Sequence, residues 1–110
     1  MTRSDALGEF EHLVLLAILQ LGPGTYGVPI RDEIEARAGR DVTLGAVYST
    51  LRRLEAKGWI ESWMSDPEPV PGGRSKKEVR LTSEGARTVR EAHARIGRMA
   101  EGLSDVLRLP

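Results

Sequence analysis

The chain contains no cysteine, which removes disulfides, thiolate zinc sites and cysteine nucleophiles at once. It has no net charge, with 16 basic side chains against 16 acidic ones. The whole molecule therefore exerts no general pull on nucleic acid. The longest apolar run near the N-terminus, Leu13 to Leu19, falls far short of the roughly 20 residues that a bilayer span needs. Acidic residues within Thr2 to Glu9 precede any apolar stretch, unlike a signal peptide. The expected location is the cytoplasm. Aromatic residues make up 5% of the chain and could line only a small pocket. Ser49, Ser62 and Ser75 have no histidine at catalytic spacing, and His12 and His93 stand alone. No enzyme, metal site or cofactor is expected.

What is present suits one small soluble domain. Of the 110 residues 40% are apolar and 29% charged, the balance of a chain that folds around one core. Charge is unevenly placed. Residues 1 to 40 hold four basic and six acidic side chains, whereas residues 71 to 80 hold Arg74, Lys76, Lys77 and Arg80 against Glu78 alone.

Periodicity predicts four helices and a hairpin. In Glu9 to Leu21, Phe10, Leu13, Val14, Ala17, Ile18 and Leu21 recur at helical spacing, and Gly22-Pro23-Gly24 stops the run. A second helix spans Gly27 to Ala38, with Pro29 tolerable only in its first turn and Gly39 as its C-terminal cap. In "TLGAVYSTLRRLEAKGWIES", Thr43 caps a third helix. Leu44, Val47, Leu51 and Leu54 fall within an arc of about 80° at ~100° per residue. Gly45, Ser49, Arg52, Arg53 and Ala56 take the opposite side, and Tyr48 the flank. After Gly58 the period becomes two. Ile60, Ser62 and Met64 alternate with Trp59, Glu61 and Trp63. A proline- and glycine-rich loop, 66 to 73, leads to a second strand in which Lys77, Val79 and Leu81 alternate with Lys76, Glu78 and Arg80. Thr82 or Ser83 then starts a last helix, in which Val89, Ala92, Ile96, Met99, Leu103 and Val106 form a heptad-like seam.

Three helices followed by a hairpin is the order of a winged helix-turn-helix, a mainly α fold with a small β-hairpin. The turn from Gly39 to Val42 suits that unit. Its second helix enters the major groove N-terminus first. Thr43, Gly45, Ala46 and Ser49 would then approach the bases, with Arg52 and Arg53 one turn later. Arg74 and one of Lys76 and Lys77, which have opposite strand parity, would hold phosphates from the wing.

"YGVPIRDEIE", "TLGAVYSTLRRLEAKGWIES" and "GGRSKKEVRLTSEG" together resemble the PadR family of bacterial transcriptional regulators. Their counterparts to the family pattern are Tyr26-Gly27, Tyr48, Leu51 with Leu54, Lys57-Gly58, and Leu81-Thr82 with Gly85. The match spans about residues 8 to 103. It departs at Glu78-Val79, where the family often has a tyrosine pair, and in its short tail. The resemblance implies a homodimeric repressor on an inverted-repeat operator in duplex DNA, associated with a bacterial nucleoid. It adds Tyr26 and Tyr48 to the expected DNA contacts and leaves a small-molecule effector undecided. Residues 1–82 would form the DNA-binding unit, and residues 83–110 the dimerisation helix and tail. The competing expectation is a winged module that binds protein and not DNA, which the charge neutrality favours.

Overall fold

A computed structural model describes residues 7 to 108. The acidic N-terminal stretch and both outer bounds of the expected units lie partly or wholly outside these residues. The order is α1 (Glu9–Leu21), α2 (Gly27–Ala38), α3 (Leu44–Ala56), β1 (Ile60–Met64), β2 (Lys77–Leu81), α4 (Ser83–Ala100) and α5 (Ser104–Leu107). No helix among the described residues is long and apolar enough to cross a membrane.

Helix α1 is the centre, touching α2, α3, β2 and α4. A helix surrounded in this way buries more than one stripe. Leu15, off the expected face, is therefore fully buried beside Val14, Ala17 and Ile18, while Leu21 at the helix end is exposed. Ile30 and Ile34 from α2 and Val47, Leu51 and Leu54 from α3 complete the core with Ile60, Val79 and Val89. Pro29 is the third residue of α2, where no intrahelical donor is lost. Gly39 takes the left-handed conformation at φ 63° and donates its N–H to the Glu35 carbonyl. The Thr43 hydroxyl oxygen accepts from Ala46 N at 3.1 Å, the cap that starts α3.

The strands pair antiparallel. Ile60 faces Leu81, Ser62 faces Val79 and Met64 faces Lys77 on one side, with Glu61–Arg80 and Trp63–Glu78 on the other. Two features depart from expectation. Trp59 precedes β1 and turns into the core at 4% exposure, so it does not share the outer face with Trp63. The far edge of β2 is also partly closed. Val79 donates to the Thr25 carbonyl at 2.8 Å and accepts from Gly24 at 3.1 Å, which ties the α1–α2 turn to the hairpin.

The last helix corrects the expected seam. Thr82 caps α4 by accepting from Gly85 N at 3.0 Å, but α4 ends at Ala100 and Gly102 turns at φ 81° into α5. Leu103 and Val106 therefore lie beyond a break, off the helix that carries the rest. Nor is the seam without a partner in its own chain. Val89 and Ala92 are buried in the domain, while Ile96 (64%), Met99 (76%), Leu103 (42%) and Val106 (78%) are exposed.

Two ionisable groups on α1 make the fold sensitive to acid. Glu11 is 7% exposed. Burial alone would raise its pKa, but the Gly8 amide, the Lys57 ammonium at 3.0 Å and the Arg53 guanidinium at 3.6 Å together hold it below the usual carboxylate value. His12 is held below its usual 6.5, first by burial and then by the nearby His93, and its Nε2 has no hydrogen-bond partner. In both cases the unfolded chain binds protons before the folded one does. The stability these groups confer is complete above the unfolded pKa and is lost as pH falls below it. Urea midpoints should therefore fall in two stages, first below pH 6.5 and again below pH 4.5. His12→Leu should remove the first fall and leave the second. A midpoint flat from about pH 7 to about 5 in the wild type would contradict the placement of His12.

Candidate nucleic-acid interface

One side of the first turn of α3 faces solvent, while Val47 on the other side is buried in the core. Thr43, Gly45 and Ala46 are exposed, and a Cβ added at Gly45 would meet nothing within 4 Å. The second half of the helix is anchored by Leu51 and Leu54. The helix thus presents its N-terminal end, with its unpaired amides and small side chains, while its C-terminal end is held. Ser49 is half-buried and accepts from Arg52 at 3.4 Å, which steadies that exposed guanidinium on the same face.

Tyr48 is held by a glycine. A Cβ at Gly27 would come within 2.5 Å of its ring and 2.9 Å of its hydroxyl. The ring therefore lies across the start of α2, and the residue remains 41% exposed. This close approach gives the Tyr26-Gly27 pair a physical reason. Tyr26 caps α2 in extended conformation, half-buried, with Lys76 Nζ 5.3 Å from its ring centre.

The cations separate into paired and unpaired. Arg53, expected near DNA, turns toward α1, where it lies 3.6 Å from Glu11 and donates to Thr50 Oγ1 at 3.0 Å. Its side chain is still 54% exposed. In the wing, Lys76 pairs with Glu68 at 3.3 Å, Lys77 with Glu55 at 3.3 Å, and Arg80 with Glu61. Among the described residues Arg52 and Arg74 have no carboxylate partner. Of the α3 and wing cations these two are left free for an outside anion, one on the helix and one in the wing loop; Arg87, Arg90, Arg95 and Arg98 of α4 are likewise without a carboxylate partner among the described residues. Trp63 donates its indole N–H to Glu78 at 3.0 Å beneath the Arg80 guanidinium. It is committed to the outer face of the hairpin.

Sequence reasoning overlooked Glu55, whose carboxylate joins α3 to both strands. The readable signal was an acid three residues after Arg52, on the flank of α3 that Tyr48 shares, beside a surface that should be short of acids. It named Gly27 only through the family resemblance and gave it no role, because a glycine that accommodates a ring 21 residues away leaves no local trace.

A model of the transcriptional regulator PadR-like family matches residues 15–91, most of the chain. No curated protein matches it. Solved structures align over nearly the full length. A PadR-like transcriptional regulator from Bacillus cereus is 20% identical, with 92% of this chain and 93% of that one covered and a TM-score of 0.71. PadR family regulators from Eggerthella lenta and Clostridium difficile are each 27% identical. The first covers 93% of this chain and 88% of its own, with a TM-score of 0.68. The second covers 87% and 95%, with a TM-score of 0.66. The hairpin behind a helix-turn-helix is thus a shared architecture, and this chain belongs to the PadR-like family of transcriptional regulators.

Proposed function

We propose that the chain is a homodimeric repressor that binds an inverted-repeat operator and blocks a promoter by occupying it, on the nucleoid in the bacterial cytoplasm. Residues 1–82 read and grip the duplex, and residues 83–110 carry the dimer contact. No chemical step is involved. The observation that carries this reading is the exposed, glycine-containing first turn of α3 with Arg52 behind it. An α-helix fits the major groove, and small residues at its leading end let its backbone approach base edges. Thr43, Gly45, Ala46, Ser49 and Arg52 face the bases. Tyr48, Tyr26 and Arg74 meet phosphates. Lys76 and Lys77 reach phosphate only by leaving their carboxylate partners, and Arg53 serves the fold.

A winged module that binds protein is the second reading. The observation that favours it is the internal pairing of the wing cations on a chain of zero net charge. Selection of bound duplex from a random pool decides between them, since recovery of a palindromic consensus supports the repressor and recovery of none removes it. On the selected duplex, Arg52→Ala should cost about 1–3 kcal/mol, and much less on random DNA. Ser49→Ala should follow it with a smaller loss, because Ser49 steadies the guanidinium. Arg74→Ala should weaken both duplexes about equally and lower the salt slope by about 1. Titrations at several salt concentrations check both expectations. A loss confined to the selected duplex for Arg74 would move it from the phosphate class to the base-reading class.

A further inference from the structure

Glu55 lies near the end of α3, three residues beyond Arg52. Its Oε2 accepts from the Ser62 hydroxyl of β1 at 2.8 Å, and its Oε1 is 3.3 Å from Lys77 Nζ of β2. Each carboxylate oxygen thus holds one strand of the hairpin. Among the described residues no other side-chain hydrogen bond or ion pair joins α3 to these strands. Tyr48, Leu51, Arg52, Glu55, Lys77 and Val79 line the cleft of about 80 Å³ between helix and wing. The carboxylate is 40% exposed there. The Ser62 hydroxyl first, against the opposing effect of burial and with help from Lys77, holds its pKa below the usual carboxylate value, so it is charged at neutral pH.

On simple electrostatics this is a poor place for an acid. A negative charge between two phosphate-facing elements repels the duplex, and this one also occupies a wing lysine. Its compensating role is geometric. Ile60 and Val79 seat the base of the hairpin in the core, but the sheet is only two strands wide with one extra bridge at Thr25, so its outer part has few other ties to α3. We propose that Glu55 is a positioning residue that sets the angle between the reading helix and the wing, giving sequence discrimination while lowering raw affinity. Lys77 is then the counterpart of Glu55 in the free protein, and the phosphate grip of the wing rests on Arg74. This role presupposes the DNA-reading function proposed above.

The test compares the wild type, Glu55→Ala, Glu55→Gln and the charge-swapped Glu55→Lys/Lys77→Glu protein. Affinity is measured for the selected duplex and for a random duplex of equal length. The orientation of the hairpin on α3 is measured in the free proteins by residual dipolar couplings. With the acid removed, Glu55→Ala should bind random duplex about threefold to tenfold more tightly. It should gain nothing on the selected duplex, so that discrimination falls by the same factor of about three to ten. Glu55→Gln keeps an acceptor for Ser62 and loses the ion pair, so its discrimination should be intermediate, and it serves as the test variant if the alanine protein does not fold. The swapped protein has the net charge of the wild type and should recover most of the discrimination. Because the swap restores the local charge together with the ion pair, the hairpin orientation is the readout that separates positioning from charge alone. Equal gains on both duplexes, or a hairpin orientation unchanged in Glu55→Ala, would overturn the positioning role alone. A wild type that prefers no sequence would overturn the DNA-reading function and this role with it.

Discussion

Alanine at position 85 should cost the fold about 3 kcal/mol or more, whereas alanine at position 97 of the same helix should add about 0.5–1 kcal/mol. The difference comes from what each glycine faces. A Cβ at Gly85 would lie 1.9 Å from the Trp59 carbonyl oxygen, and a Cβ at Gly97 would meet nothing within 4 Å. The helix cannot withdraw to make room. Thr82 N donates to the same Trp59 carbonyl at 3.0 Å, and the Thr82 hydroxyl donates to the Gly58 carbonyl at 2.7 Å. The start of α4 is thereby fastened to the turn that ends α3, and the third residue of α4 must pass over that turn without a side chain. Gly97 has no such task and only weakens the helix. Urea unfolding of the two variants, compared at equal m-values, measures both effects. Two gains, or two losses of similar size, would mean that α4 does not dock on the Trp59 carbonyl.

The same contrast shows what could be read in advance. Glycines 85 and 97 look alike in a helical pattern, because a local sequence records spacing and not the backbone that comes near. The bounds of α1, α2 and α3 were legible because caps and breakers stand next to the residues they affect, as with Thr43, Gly39 and Gly22. The exposed first turn of α3 was legible for the same reason. Long-range pairing was not. Arg53 sits on the polar side of α3 and reads as a DNA contact, and its ion pair with Glu11, placed by the core packing of α1, has no trace in the local sequence. Lys57 pairs with the same carboxylate across 46 residues. Spacing by three and four also continues past Ala100, although Gly102 turns the chain there. Periodicity reports where apolar residues would lie if a helix continued, and does not establish that it does.

Aspartate at position 96 should abolish operator binding while sparing the domain. The apolar side of α4 divides between two tasks. Its first half, Val89 and Ala92, closes the core of its own chain. Its second half carries Ile96 and Met99 into solvent, and Leu103 and Val106 extend the apolar surface beyond the break at Gly102. Ile96 also borders a groove of about 490 Å³ between α1 and α4, with Leu13 and Leu16 on its far wall. Exposed Ile96 and Met99 beside the groove walled by Leu13 and Leu16 favour association, and a two-fold pairing satisfies both copies with one contact. Such a pairing would set the two α3 helices about 34 Å apart, one turn of duplex, or a multiple of it. A carboxylate at position 96 is harmless in the free domain, where the residue is 64% exposed, but it would be buried without a partner in the dimer, at a cost of several kcal/mol. Ile96→Asp should therefore be a folded monomer with near wild-type unfolding. Its operator affinity should fall at least about a hundredfold, because each half-site must then be bound alone. Val89→Asp, within the core, should instead fail to fold, which separates the two halves of the stripe. Sedimentation with duplex titration is the measurement. A wild-type protein that stays monomeric at micromolar concentration, or an Ile96→Asp protein that remains dimeric with full operator affinity, would place the dimer contact elsewhere on the chain.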